Sequence, residues 1–274
     1  MINSTKIPLE VKAVAQALEE AGFEAYIVGG CVRDLVVGKV PKDWDLTTNA
    51  HPEQIQGLFP ESFCNNDYGT VGVKNEETTD ETVKVIEVTP YRSDGTYTDA
   101  RRPDSVMFGV SLAEDLARRD FTINAIAYRI KTGETVDLYE GIEDIRKKRI
   151  KTVGVPTERF GEDALRLMRA VRLAAELNFM IEGETTKGIT TKSALLEKIA
   201  IERISSEFVK LINSTAPMQG IVLLQKLGLL TYVLPELETA IGCEQGGIHA
   251  YDVYEHSLRT LQAAADKEYG TTMR

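Results

Sequence analysis

The chain has 274 residues, enough for one to three domains, and its balance of 43% hydrophobic to 27% charged residues excludes a disordered or fibrous protein. A formal net charge of −10 argues against indiscriminate nucleic-acid binding. It leaves room for local basic surface at Arg118-Arg119, at Arg146 to Lys151 and at Arg166, Arg169 and Arg172, because screening limits each charge to roughly 8 Å.

In chain order, residues 8–21 repeat apolar side chains at helical spacing, with Gly22 as the stop. FEAYIVGG reads as a buried strand entering a glycine turn, and CVRDLVVG as a short helix closed by Gly38. The Asp43-Trp44-Asp45 stretch suits a strand, as do TVGV and TVKVIEVTPY, with the acidic run between the last two forming a turn or solvated loop. Tyr91 to Val106, rich in Gly, Pro, Asp and Ser, reads as a mobile loop. From about Ser111 helical signals dominate: SLAEDLARRDFTINAIAYR, EDIRKKRI, EDALRLMRAVRLAAELNF and several more. The order is a mixed α/β half of about 140 residues followed by an all-helical remainder.

No run approaches the roughly 18 apolar residues of a membrane span. The N-terminal residues carry no secretory pattern, so no membrane association is expected. Cys31, Cys64 and Cys243 are odd in number and scattered, which fits free thiols in a reducing cytoplasm better than a disulfide framework or a zinc site.

Alternate strand residues share a face, so Asp43 and Asp45 point together while Trp44 points into the core. Paired carboxylates repel unless a cation lies between them, and Mg²⁺ uses one or two carboxylates plus substrate phosphates; two solvated aspartates at a strand end are the plainer reading. Gly29-Gly30, at the start of a helix, bring backbone N–H groups to a phosphate or simply form a turn. Arg33 either clamps a phosphate or pairs with Asp34 at the surface. Glu87 lies on a strand face with Val83 and Val85, either as a third ligand of a two-metal site or as an edge-strand glutamate.

Arg119, Asp120 and Asn124 are spaced to share a helix face, for triphosphate or ribose contact or for surface ion pairs. Asp163, Arg166, Arg169 and Arg172 recur every three residues beside an apolar stripe of Leu165, Met168, Val171 and Leu173. Like charges so spaced repel, so something anionic is expected opposite them, and an Asp-Arg pair suits base edges. A solvated basic face is the alternative. His51 reads as a loop residue, and His249 and His256 as near one helix face, too few for a metal centre.

Taken together, VGGCVRDLVVGKVPKDWDLTT, YGTVGV, VIEVTPYRSDGTYTDARRPDSVMF, RRDFTINAIAY, VDLYEGIEDIRKKRI and ERFGEDALRLMRAVRLAAELNF resemble the class II CCA-adding enzyme and bacterial poly(A) polymerase family of tRNA nucleotidyltransferases, in order, over roughly residues 23 to 180. The resemblance implies an α+β fold. A nucleotidyltransferase head with a mixed sheet occupies 1–145, a helical neck for nucleotide base and RNA 146–213, and a helical body 214–274. It implies Asp43 and Asp45 as Mg²⁺ ligands with Glu87 as the third catalytic carboxylate. Gly29, Gly30, Arg33 and Arg119 would hold triphosphate and ribose, with Asp120 and Asn124 in support. Asp163 and Arg166 would read the base, backed by Arg169 and Arg172. The activity implied is untemplated addition of C, C and A to the tRNA 3′ end from CTP and ATP, in the cytoplasm, with pyrophosphate released.

Two departures stand out. QGGIHAYDVYEHSL resembles the entry to the family's HD-type region, but the chain stops at Arg274 before any His-Asp pair, so no HD centre is expected. The family's tRNA-gripping tail is expected to be missing too, as in a fragment or a short member. The alternatives are an A-adding enzyme, a poly(A) polymerase, and a noncatalytic RNA-binding module on the same fold. The Arg92 to Arg102 loop speaks against a CC-only enzyme, since the family associates it with the switch to A.

Overall fold

The computed structural model describes residues 2–64, 68–95, 105–247 and 249–273. They divide into two compact units, one of residues up to Lys147 and one from Lys148 onward. The fold is α+β, a mixed sheet in the first unit and mainly helices in the second.

The first unit opens with α1 (Leu9–Glu20), whose apolar side buries Val11, Val14, Ala15 and Leu18. Gly22, at φ 89°, turns the chain in the left-handed region that glycine adopts without strain. There follow β1 (Ala25–Val28), α2 (Gly30–Val37), β2 (Asp45–Thr48), α3 (Pro52–Leu58), β3 (Ser62–Cys64), β4 (Val71–Lys74) and β5 (Val85–Pro90). After them come β6 (Arg92–Asp94), β7 (Val106–Phe108), α4 (Leu112–Ala117), β8 (Ala127–Tyr128), β9 (Thr135–Val136) and α5 (Gly141–Arg146). One seven-stranded sheet runs β3-β4-β5-β2-β1-β8-β9, with β2 and β5 parallel and the other pairs antiparallel.

Three expectations need correction here. The segment read as a loop from Tyr91 to Val106 contains the short strand β6 and ends on the first residue of β7, the two paired antiparallel from Arg92↔Phe108 to Asp94↔Val106. Residues 96–104, and with them most of the Arg92 to Arg102 loop, lie outside the described residues. The helix read through SLAEDLARRDFTINAIAYR ends at Ala117. A 3₁₀ turn at Thr122–Asn124 and strand β8 on β1 take its place. Its cause is local: the Asp120 carboxylate accepts from the Phe121 N–H at 2.8 Å and from Asn124 Nδ2 at 3.1 Å, offering the backbone a partner outside a helix. Finally, Lys84 and Val83 precede β5, so the alternation holds only from Val85: Ile86 and Val88 are buried, and Val85, Glu87 and Thr89 lie on the other face.

The second unit contains β10 (Arg149–Ile150), α6 (Pro156–Glu162), α7 (Leu165–Leu177), β11 (Met180–Ile181), α8 (Gly183–Lys192), α9 (Ile201–Ile212), α10 (Pro217–Lys226), α11 (Leu230–Val233), α12 (Pro235–Thr239) and α13 (Val253–Asp266). It is not wholly helical, because β10 and β11 pair in parallel. Helix α7 is its centre: Leu165, Met168, Val171 and Leu173 are buried as expected, and so are Leu167, Ala170, Ala174 and Ala175. Among the described residues no helix is long and apolar enough to cross a membrane.

Candidate functional site

In the first unit the site grows from the strand register. Asp45 on β2 stands level with Glu87 on β5, and in-register neighbours share a face, so the two carboxylates sit side by side. Gly72 on β4 is level with Glu87, and the Phe63 ring fills the space its Cβ would occupy, 2.6 Å away. Asp43 does not lie on the strand. It occupies an exposed bend two residues before Asp45, with Trp44 between them 2% exposed. The proximity is nonetheless felt. Burial, then the Asp43 charge, then that of Glu87, push the Asp45 carboxyl up to about 7, against a lowering by Arg119.

Opposite these carboxylates lies the turn into α2. Gly29, at φ 82°, is the residue before the helix, and its bare Cα lets other groups approach: a Cβ there would stand 3.3 Å from Arg119 Nη1 and 3.7 Å from Asp45 Oδ2. Helix α2 directs its first N–H groups, which have no intrahelical acceptor, toward this turn. Gly29→Ala puts a side chain at φ 82°, ψ −135°, a conformation essentially confined to glycine and costing about 1–3 kcal/mol, and pushes on Arg119. It is expected to lower the melting temperature by several degrees and weaken nucleotide binding; calorimetry reads both.

Arg33 folds back over Gly30, donates from Nη1 to Asn124 Oδ1 at 2.9 Å and pairs with Asp34 at 2.8 Å. Asn124 in turn donates to Asp120, so Arg33, Asn124 and Asp120 form one chain. Arg119 is not on their helix face as expected. It follows α4, and its Nη2 donates to Asp115 at 3.0 Å.

Among the described residues no three His, Cys, Asp or Glu side chains are gathered at ligand distance. The donor set still fits a hard divalent cation: two carboxylates adjoin by register, a third is close enough to raise the Asp45 proton affinity, and a cation relieves that crowding. Cys31 nearby is buried and donates its thiol to the Val28 carbonyl at 3.3 Å; burial, then the Asp45 charge, push that thiol up to about 12.

The arginine row lies in the second unit: Arg166, Arg169 and Arg172 share helix α7 as expected, but Asp163 does not belong to it. Asp163 ends α6 in extended backbone (φ −137°, ψ 104°), and its Oδ1 accepts from the Leu165 N–H at 3.1 Å, starting a separate helix α7. Asp163 pairs with Arg203 of α9 (3.2 Å), and Arg166 donates to Glu162 at 2.6 Å and to the Arg159 carbonyl at 3.0 Å. Arg172 donates to Glu207 at 2.5 Å and to Glu176 at 2.6 Å, and Arg169 lies 3.9 Å from Glu207. The anionic groups expected opposite the row are thus the chain's own glutamates. Sequence reasoning missed Arg203, Glu162 and Glu207.

His51 is the residue capping α3, with its ring edge-on to Phe108 at 6.2 Å. His249 precedes α13 and so shares no helix face with His256, though their rings meet edge-on at 6.2 Å.

Comparison with known proteins places this architecture in a class. Residues 25–151 match the poly A polymerase head domain, and residues 178–241 match the probable RNA and SrmB-binding site of polymerase A. The CCA-adding enzyme of Levilactobacillus brevis is 48% identical over 222 residues, covering 81% of this chain and 54% of that protein. A crystal structure of the Bacillus stearothermophilus CCA-adding enzyme in complex with CTP aligns with a TM-score of 0.75 at 35% identity, over 94% of this chain and 58% of that one. A tRNA nucleotidyltransferase complexed with a primer tRNA and an incoming ATP analog aligns at 0.69 and 26% identity, over 92% of this chain and 67% of that one. The chain belongs to the CCA-adding enzyme and poly(A) polymerase family of nucleotidyltransferases. It spans about half the length of the curated relatives it matches.

Proposed function

We propose that the chain is a CCA-adding tRNA nucleotidyltransferase that extends the tRNA 3′ end from CTP and ATP and releases pyrophosphate, acting in the cytoplasm. The observation carrying this reading is the pairing of Asp45 with Glu87, crowded by Asp43 and faced by Gly29 and Arg119. When held by Asp43 and Asp45 with Glu87 adjoining, Mg²⁺ supplies activation of the attacking 3′-hydroxyl and neutralisation of phosphate charge. The chain's own groups do the positioning: Gly29 and Gly30 admit the triphosphate to the α2 N–H groups, while Arg33 and Arg119 pair with its oxygens. Asn124 and Asp120 hold Arg33 in place.

Asp163 and Arg166 read the base, the carboxylate accepting from its amino group and the guanidinium donating to ring nitrogen or carbonyl. They exchange their partners Arg203 and Glu162 to do so, and a base with the wrong edge leaves these groups unpaired. Arg169 and Arg172, tied to Glu207, keep the reading helix in place. A head of 1–145, a neck of 146–213 and a body of 214–274 suit this division of labour, and the turn between α9 and α10 falls at the second boundary.

Extension of tRNAs ending before CCA, after C and after CC, sized to one nucleotide, tests the reading. Addition of C, C and A followed by arrest is expected. A added to the CC-ended tRNA alone identifies an A-adding enzyme, and long A tails a poly(A) polymerase. Retained tRNA binding with no product from any substrate identifies an RNA-binding module.

A further inference from the structure

The side chain of Asp115 is fully buried, and nothing in the proposed transfer uses it. Its Oδ1 accepts from Arg118 Nε at 3.0 Å and Nη2 at 2.7 Å. Its Oδ2 accepts from Arg119 Nη2 at 3.0 Å and from Thr47 Oγ1 at 3.3 Å. Thr47 lies two residues beyond Asp45 on β2 and so on the same face, one pleat from the carboxylate site. The same Thr47 hydroxyl lies 3.1 Å from the Thr89 carbonyl across the parallel pair that sets Asp45 beside Glu87, so its one hydrogen is shared between that carbonyl and Asp115. One carboxylate thus ties the carboxylate-bearing strand to the arginine that faces it.

The division of nitrogens on Arg119 gives the tie its sense. Nη2 is held by Asp115, Nη1 stands against the Gly29 turn, and Nε is buried with no hydrogen-bond partner among the described residues. A free arginine loses considerable rotamer freedom when it grips a phosphate, and an anchored one has already lost it. Burial pushes the Asp115 carboxyl up, but Arg119, Arg118 and their hydrogen bonds hold it below the ordinary aspartate value, so the anchor is an anion. A buried ion pair is weak evidence for stability, but here its geometry fixes where Arg119 points.

We infer that Asp115 is a positioning residue, which holds the Arg119 guanidinium against Gly29 and Asp45 in readiness for the triphosphate of the incoming nucleotide. This rests on the proposed nucleotidyl transfer and adds to it a determinant of nucleotide affinity that makes no contact with the nucleotide.

The test is calorimetric titration of the full chain with Mg·CTP, comparing wild type, Asp115→Asn, Thr47→Val, Arg119→Ala and the double variant Asp115→Asn/Arg119→Ala. Asp115→Asn is expected to raise the Kd about tenfold, the worth of a charge-assisted hydrogen bond. Thr47→Val, which leaves the anion in place, is expected to raise it about threefold and keeps the test open if Asp115→Asn does not fold. In the double variant the Asp115→Asn effect should vanish, because its route through Arg119 is gone. Folded Asp115→Asn binding with the wild-type Kd, or adding its full effect to that of Arg119→Ala, overturns the inference while leaving the transfer reading intact. Failure of the wild-type chain to bind Mg·CTP overturns both.

Discussion

Asp45→Asn is expected to lose about a thousandfold or more in nucleotide incorporation and, at the same time, to melt at a higher temperature than the wild-type protein. Both effects come from one carboxylate. The loss reflects removal of the ligand that stands level with Glu87, where several kcal/mol of charge stabilisation are at stake and each 1.4 kcal/mol is a factor of ten. The gain follows from linkage. Asp45 in the folded protein holds its proton up to about 7, against 3.8 when unfolded. Below pH 4 both states are protonated and the residue contributes nothing to the balance. As pH rises through 4 to 7 the unfolded chain releases this proton first, so folding is progressively disfavoured, and above 7 the penalty is complete. The gap corresponds to at most on the order of 4 kcal/mol, worth several degrees in melting temperature. Asn carries no charge, so the variant's advantage should be absent near pH 4 and full at pH 8. Thermal scans across that range check it; equal melting temperatures at pH 8 would contradict the crowded-carboxylate description.

The second large effect is on stability and falls in the other unit. Glu207→Ala is expected to destabilise by about 3–5 kcal/mol, the cost of removing one partner from a buried ion pair. Glu207 is 4% exposed, accepts from Arg172 Nε at 2.5 Å, and has Arg169 at 3.9 Å and Lys210 at 3.7 Å. Its loss leaves Arg172 with Glu176 and removes a charged tie between α7 and α9. Urea unfolding monitored by circular dichroism reads this directly. Glu207→Gln, which keeps an oxygen acceptor, should recover part of the loss. A midpoint unchanged in Glu207→Ala would mean that the arginine row is solvated after all.

What the sequence made legible follows from the range of the forces involved. Helix α2 was marked by Gly29 before it and Gly38 after it, because positive φ leaves little choice of residue. Trp44 was placed in the core by alternation, Asp45 was found as one of the paired carboxylates of Asp43-Trp44-Asp45, and Glu87 as a charge on an apolar strand. Their register was not legible, since parallel pairing of residues 42 positions apart is decided by the whole sheet. The helix expected through Arg119 and Asn124 failed because Asp120 captures the Phe121 N–H and because β1 takes Ala127 and Tyr128 as a strand. The break at Asp163 did carry a local signal: an aspartate just before an apolar helical run marks a helix start. Arg203, forty residues from Asp163, carried none. Glu176, four residues on along α7, was a local partner for Arg172, but Glu207 became visible only once α9 packed on α7.

The most direct measurement sets wild type beside Asp45→Asn in one extension assay, with a tRNA ending before CCA, Mg²⁺, CTP and ATP, and products resolved to single nucleotides. The wild-type chain should add three nucleotides and stop, while Asp45→Asn, folded and binding the same tRNA, adds none in the same time. Extension by Asp45→Asn at the wild-type rate would contradict the assignment of the paired carboxylates as the centre of transfer.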